Sequence, residues 1–279
     1  MISSQSHQAS LAQRTGLALA EALRQERDGD LPFANGPIRR ITDLLIDGVR
    51  HEQLPSSIDR TRSRSPQSAA ALAINTFLPW QRAADQLPLA GWTGFDAVQF
   101  EVRCPTGLRG TPPHLDLLAL RSEVAVAVIV RCIEYLSRRK TAVAPSYDQL
   151  LATTPGLEPW RRQLDRLRQE PQHYRHVDPG ALIKFALALG RTFPDRPTIL
   201  LYLYWEPLNG DRFEEFCRHR EETAELADAV RDARVTFAPQ NFDVMWQEWA
   251  ARGAPSWLAD HVDRLRARYC VSIPGVKPL

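Results

Sequence analysis

The residue in this chain best placed to do chemistry is an aspartate in apolar company. Asp116 lies within His114–Leu120 (HLDLLAL), beside Leu115, Leu117 and Leu118. A carboxylate taken out of water alone is costly, so such a position calls for a cation, a metal ion or a hydrogen-bonding partner. Arg103 and Arg131 are the candidate structural partners, and a catalytic or metal-holding role is the functional alternative. The residues by themselves leave both open. Other constellations are missing: there is no GxxxxGK[ST], no GxGxxG after a strand, no HExxH and no GxSxG. That removes most of the case for a nucleotide-triphosphate enzyme, a dinucleotide enzyme or a common hydrolase. His173 and His176 are close, but they follow Pro171 in a polar stretch that reads as a solvated turn rather than a zinc site. Cys104, Cys132, Cys217 and Cys270 form no CxxC pair, which suits scattered reduced thiols.

The elements that must position Asp116 follow from periodicity. Val98, Phe100 and Val102 alternate with Gln99, Glu101 and Arg103, the pattern of a half-buried strand. His114–Leu120 and Val124–Arg131 are short apolar runs joined by Arg121-Ser122-Glu123, so the spacing predicts three consecutive strands with the last two a hairpin. Between the first two, Cys104–Pro113 holds two glycines and three prolines and must be irregular. Helical spacing is expected after Ser10, after Gly36 (Ile38, Ile41, Leu45, Val49), over Ser68–Ala84 and over Glu158–Gln169. It is expected again from Asp178, with Pro179 in the first turn, to Gly190. Thr198–Trp205 reads as a central strand, Asp211–Ala233 as a long charged helix and Val235–Phe237 as a short strand. Phe242–Ala251 and Ser256–Tyr269 close the chain as helices.

A length of 279 residues and a hydrophobic share of 44% suffice for a substantial core. No apolar run is long enough to cross a bilayer, and Met1–Ser10 lacks a secretory signal, so a cytoplasmic protein with no membrane partner is expected. A net charge of +2 does not describe a generally cationic nucleic-acid binder. The segment Pro55–Pro66 is nearly free of apolar residues and carries Arg60, Arg62 and Arg64. It reads as a connector, solvated or, alternatively, an arm that contacts phosphates.

With these pieces in place, the run Gly110–Leu136 (GTPPHLDLLALRSEVAVAVIVRCIEYL) resembles the PD-(D/E)XK, restriction-endonuclease-like nuclease superfamily. It looks most like a group of stand-alone bacterial proteins of that superfamily. In that group an aspartate on the second strand is followed, across a hairpin, by Glu-x-Lys on the third strand and then Glu-Tyr-Leu. Asp116 matches the aspartate and Glu134-Tyr135-Leu136 the tail. Ser65–Trp80 resembles the group's first helix, Asp178–Gly190 the helix after the hairpin, and Leu200–Pro207 its last strand. Phe213, Phe216, His219, Arg220 and Glu221 resemble the long helix beyond. The resemblance implies an α/β fold with a restriction-endonuclease-like core: helix, three-strand antiparallel meander, helix and returning strand, with added N- and C-terminal helices. It covers about Ser65–Trp249 and leaves the N-terminal helices unexplained; the chain is expected to comprise an N-terminal helical extension (1–54), an Arg-rich linker (55–67) and a nuclease-like α/β domain with C-terminal helices (68–279).

The same alignment shows a departure. Ile129 stands where the family has its glutamate, and Arg131 where it has its lysine. The resemblance implies that two strand carboxylates hold Mg²⁺ or Mn²⁺ against the scissile phosphate while the lysine activates water. An isoleucine cannot ligate a hard cation, and an arginine cannot act as a base. Two substitutes are available: Glu101 or Glu134 for the carboxylate, and Lys184, on the helix after the hairpin, for the lysine. The expectation is a DNA-processing or DNA-binding protein with an impaired phosphodiesterase site and no cofactor. The alternatives are an active Mg²⁺- or Mn²⁺-dependent endonuclease with relocated residues, for which a homodimer would serve two-strand cleavage, and a protein-interaction module. The last rests on the charged helix Asp211–Ala233 and on Trp246, Trp249 and Trp257.

Overall fold

Five strands form one open mixed sheet in the computed structural model, which describes residues 10–27, 41–50, 52, 54, 65–137 and 140–274. Strands β1 (Ala97–Arg103), β2 (His114–Leu120) and β3 (Ala125–Arg131) make an antiparallel meander. β4 (Thr198–Tyr204) pairs parallel to β3, and β5 (Val235–Asn241) parallel to β4. The strand order is β1-β2-β3-β4-β5. β3 and β4 are largely apolar, Arg131 and Thr198 at their ends apart, because both of their faces are covered, as parallel pairing with helical crossovers requires.

Eight α-helices, counted among the described residues, supply that cover. They are α1 (Leu11–Glu26), α2 (Ala69–Phe77), α3 (Ser146–Thr153), α4 (Glu158–Gln169), α5 (Pro179–Thr192), α6 (Glu214–Ala229), α7 (Phe242–Arg252) and α8 (Leu258–Tyr269). Val126, Val128 and Val130 join a core built with α1, α2, α7 and α8; Ala125, Ala127 and Ile129 join a second core built with α3, α4, α5 and α6. Trp246 and Trp249 are buried in the first core, and Trp257 meets Trp80 edge-on with ring centroids 4.9 Å apart. These aromatics therefore hold the fold together, which removes the argument that they form an interaction surface.

α1 belongs to the same body: Leu19 lies in the first core, and Glu26 pairs with the buried Arg268 of α8. Two expected helices are shorter than their spacing suggests. Of the helix after Gly36, residues 36 and 38 lie outside the described residues, and Ile41–Leu44 form only a 3₁₀ turn. There the Asn75 side chain binds the Ile46 N–H and the Leu44 carbonyl, holding the segment in an irregular path. The helix expected over Ser68–Ala84 stops at Phe77 and continues as 3₁₀ turns, because Pro79 has no N–H to continue the ladder. No helix among the described residues is long and apolar enough to cross a membrane.

Candidate functional site

A cleft of about 540 Å³ opens where β2 and β3 part. Glu101, His114, Asp116, Val130, Arg131 and Glu134 line its strand side; the start of α2 and Phe185 of α5 line the other. The β1–β2 register pairs Phe100 with Leu117 and Val102 with Leu115, which sets Glu101 directly across from Asp116. On the opposite flank the β2–β3 ladder ends at Leu117–Val128, and continuing that register sets Ile129 across from Asp116. The row over the sheet is thus Glu101, Asp116, Ile129, with Tyr202 of β4 next.

Asp116 explains why the ladder stops there. Its Oδ2 accepts the Val130 N–H at 2.7 Å, in place of a β2 backbone carbonyl. Burial pushes its carboxyl up to about 6, against the Arg131 charge and the Val130 bond and with help from the charges of Glu101 and Glu134. Glu101 is held at φ +52°, a left-handed conformation that costs a non-glycine residue roughly 1–3 kcal/mol and is often found at functional sites. His114 shares a face of β2 with Asp116, two residues away. Its Nδ1 is buried without a hydrogen-bond partner, 3.8 Å from Glu101 Oε2. Sequence reasoning passed over this histidine, although the His-x-Asp spacing on a strand was signal enough.

The remaining candidates divide. Arg131 donates from Nη1 to the Val130 carbonyl at 2.8 Å and forms no ion pair among the described residues, so most of its guanidinium stays available. Glu134 Oε2 accepts the N–H groups of Cys132 and Ile133 at 2.6 and 3.1 Å; this carboxylate caps its own turn. Lys184 has its Nζ 5.6 Å over the Tyr147 ring of α3 and is not among the residues that line the cleft. Ile129 is fully buried among core side chains. Arg60, Arg62 and Arg64 lie outside the described residues. The alternative pairing of Asp116 with Arg103 or Arg131 takes a looser form: Arg131 acts on it through space, without an ion-pair contact.

Among the described residues no group of three or more His, Cys, Asp or Glu side chains is arranged to hold a metal ion. Mg²⁺ demands near-octahedral oxygen ligation. Here one oxygen of Asp116 is bound by Val130, one oxygen of Glu134 by its own turn, and the position that the resemblance gives to the second strand carboxylate is Ile129. These three positions alone do not make a site for such an ion, which would need Glu101 as well.

The charge on Asp116 has a measurable consequence. Its folded-state pKa lies above the unfolded one, so the stability it contributes is fully present below about pH 4 and is lost as pH rises through about 6. Asp116→Asn keeps an acceptor for Val130 and removes the charge. It is expected to be more stable than wild type by about 2 kcal/mol near neutral pH, with the gap closing toward pH 4. Urea unfolding at several pH values measures this, and a difference independent of pH would show that the charge is not strained. Comparison of the chain with family models, curated proteins and solved structures finds no match.

Proposed function

We propose that this protein binds DNA through a restriction-endonuclease-like core whose metal-dependent phosphodiesterase site has lost its chemistry. The antiparallel meander β1–β3 followed by the parallel β4 supports the architecture. One observation carries the functional reading. At the two positions that would do the chemistry, Ile129 is sealed in the core, while Arg131 lines the cleft with no carboxylate paired to it among the described residues. An arginine keeps its charge at any working pH and grips phosphate through a planar fork, so it suits holding rather than cutting.

Fluorescence anisotropy on labelled DNA at low salt tests this. Arg131→Ala is expected to weaken binding about tenfold and Arg131→Glu more, with the salt slope reduced by about 1. Absence of any nucleic-acid binding at low salt would return the protein to the interaction-module reading.

A second reading is favoured by one feature, the placement of Glu101 on a strained residue directly across from Asp116. There the carboxylate would have moved one strand over, and the protein would cut. Plasmid cleavage with Mg²⁺ or Mn²⁺ by wild type, abolished in Asp116→Ala, would establish this reading over the first.

A further inference from the structure

Arg131 and Glu134 border two cavities. Beyond the cleft, a smaller one of about 300 Å³ lies between the end of β3 and the first turn of α5. We infer that this smaller cavity takes a single unpaired nucleobase bearing an exocyclic amino group, which makes single-stranded or locally opened DNA the substrate class. The inference rests on the DNA-binding reading above.

A phosphate on Arg131 stands at the wall common to both cavities, so the nucleoside attached to it has the smaller one within reach. Size comes next, because 300 Å³ is at the small end for ligand sites and admits one base rather than a duplex step. The walls suit a flat heterocycle: Ala181 and Leu182 contribute apolar surface and Tyr202 an aromatic ring. That ring is fixed, since its hydroxyl is hydrogen-bonded to Nε2 of the buried His219 at 3.0 Å, and His219 in turn stacks on Tyr135 at 3.9 Å.

The polar groups select what enters. His176 Nδ1 lies 3.1 Å from the Tyr135 carbonyl. A carbonyl only accepts, so Nδ1 is the donor in that contact, and a ring carrying one proton keeps Nε2 as an acceptor. Glu134 spends Oε2 on backbone N–H groups and keeps Oε1. Asp178 is occupied: its oxygens accept from Thr141 and Ala181. Two acceptors and one arginine donor match the amino-bearing edges of cytosine, adenine and guanine, whereas thymine offers no amino group. The carboxylates of Glu134 and Asp178 on the wall disfavour a second phosphate. Proteins that hold an extruded base read it in this manner, by edge hydrogen bonds and stacking.

The test uses anisotropy with short labelled strands: one rich in cytosine, one of thymine only, one with abasic sites, and a duplex. Wild type is expected to bind the cytosine strand about tenfold tighter than the abasic and thymine strands or the duplex. Ala181→Trp, which fills the cavity, should bring all strands to the abasic level. His176→Leu, which removes an acceptor without adding bulk, should narrow the preference and serves if the tryptophan variant melts early. Equal binding of all strands, or a preference that survives both variants, overturns the pocket. If binding depends on Arg131 but ignores base content, the pocket alone falls. If no strand binds to wild type, the DNA-binding reading and the pocket fall together.

Discussion

Glu222→Leu is expected to destabilise the protein by about 3–5 kcal/mol, one of the largest losses available from a single polar side chain here. Glu222 is fully buried on α6, and its carboxylate gathers three consecutive backbone N–H groups: Arg175 at 2.7 Å, His176 at 2.8 Å and Val177 at 2.9 Å. Arg218 adds a bond at 3.2 Å from one turn earlier. Leucine fills the space but leaves three amides without partners away from water. Burial alone would raise this carboxyl, but the three backbone bonds outweigh it, and its pKa is lowered. Its stabilisation is therefore present above the unfolded carboxylate value and is lost as pH falls through the lower folded one. Glu222→Gln, which keeps one acceptor, should cost less at neutral pH, and its deficit should shrink under acid. Thermal denaturation is expected to show a drop of roughly 10 °C for the leucine variant; a shift within about 2 °C would mean that the amides find other partners. The consequence reaches the site, because these amides lead directly into Asp178, the N-cap of α5, and hold His176 at the smaller cavity.

What the sequence disclosed follows the strength of each local signal. The meander was legible because Val98, Phe100 and Val102 alternate and the two runs after them are bounded by turn residues. α5 was legible because Asp178 caps it and Pro179 opens it, although it runs to Thr192 rather than Gly190. α3 was missed: only eight residues long, with Leu151 alone fully buried, it carries too little apolar periodicity to stand out. β5 extends to Asn241 instead of Phe237 and includes Pro239, which is tolerated because β5 is the sheet's edge. α6 is shorter than expected, opening at Glu214 after a separate 3₁₀ turn and ending at Ala229. At the site, Asp116 announced itself as a charge in an apolar run. That Glu101 stands opposite it depends on strand register, which no spacing within one strand reveals. The side of α5 that faces the cleft was equally hidden. Phe185 reaches the cleft, whereas Lys184, about 100° around the helix, meets Tyr147 of α3.

Ile129→Glu, the change that would supply the second carboxylate of the proposed nuclease-like site, is expected to cost about 3–5 kcal/mol rather than to create an enzyme. In the row Glu101, Asp116, Ile129, the third position has no exposure and packs with the second core, so a carboxylate there would be buried beside the already strained charge of Asp116. Two like charges in one poorly hydrated place raise each other's pKa, so the variant should regain stability as pH falls toward and below 6, opposite to a protein with ordinary surface carboxylates. Ile129→Val, which only trims a methyl, should cost about 1 kcal/mol and show no such pH dependence. Adding Mn²⁺ separates two explanations of the loss. If the introduced group and Asp116 converge on the cleft, the ion binds the folded state and raises the melting temperature of Ile129→Glu in proportion to its concentration. If the isoleucine has let the core close over its position, as its burial indicates, Mn²⁺ leaves the melting temperature unchanged and the proposed contact with DNA would rest on Arg131. Recovery by Mn²⁺ would instead mean that one substitution separates this cleft from a metal site, and would bring the cutting reading forward.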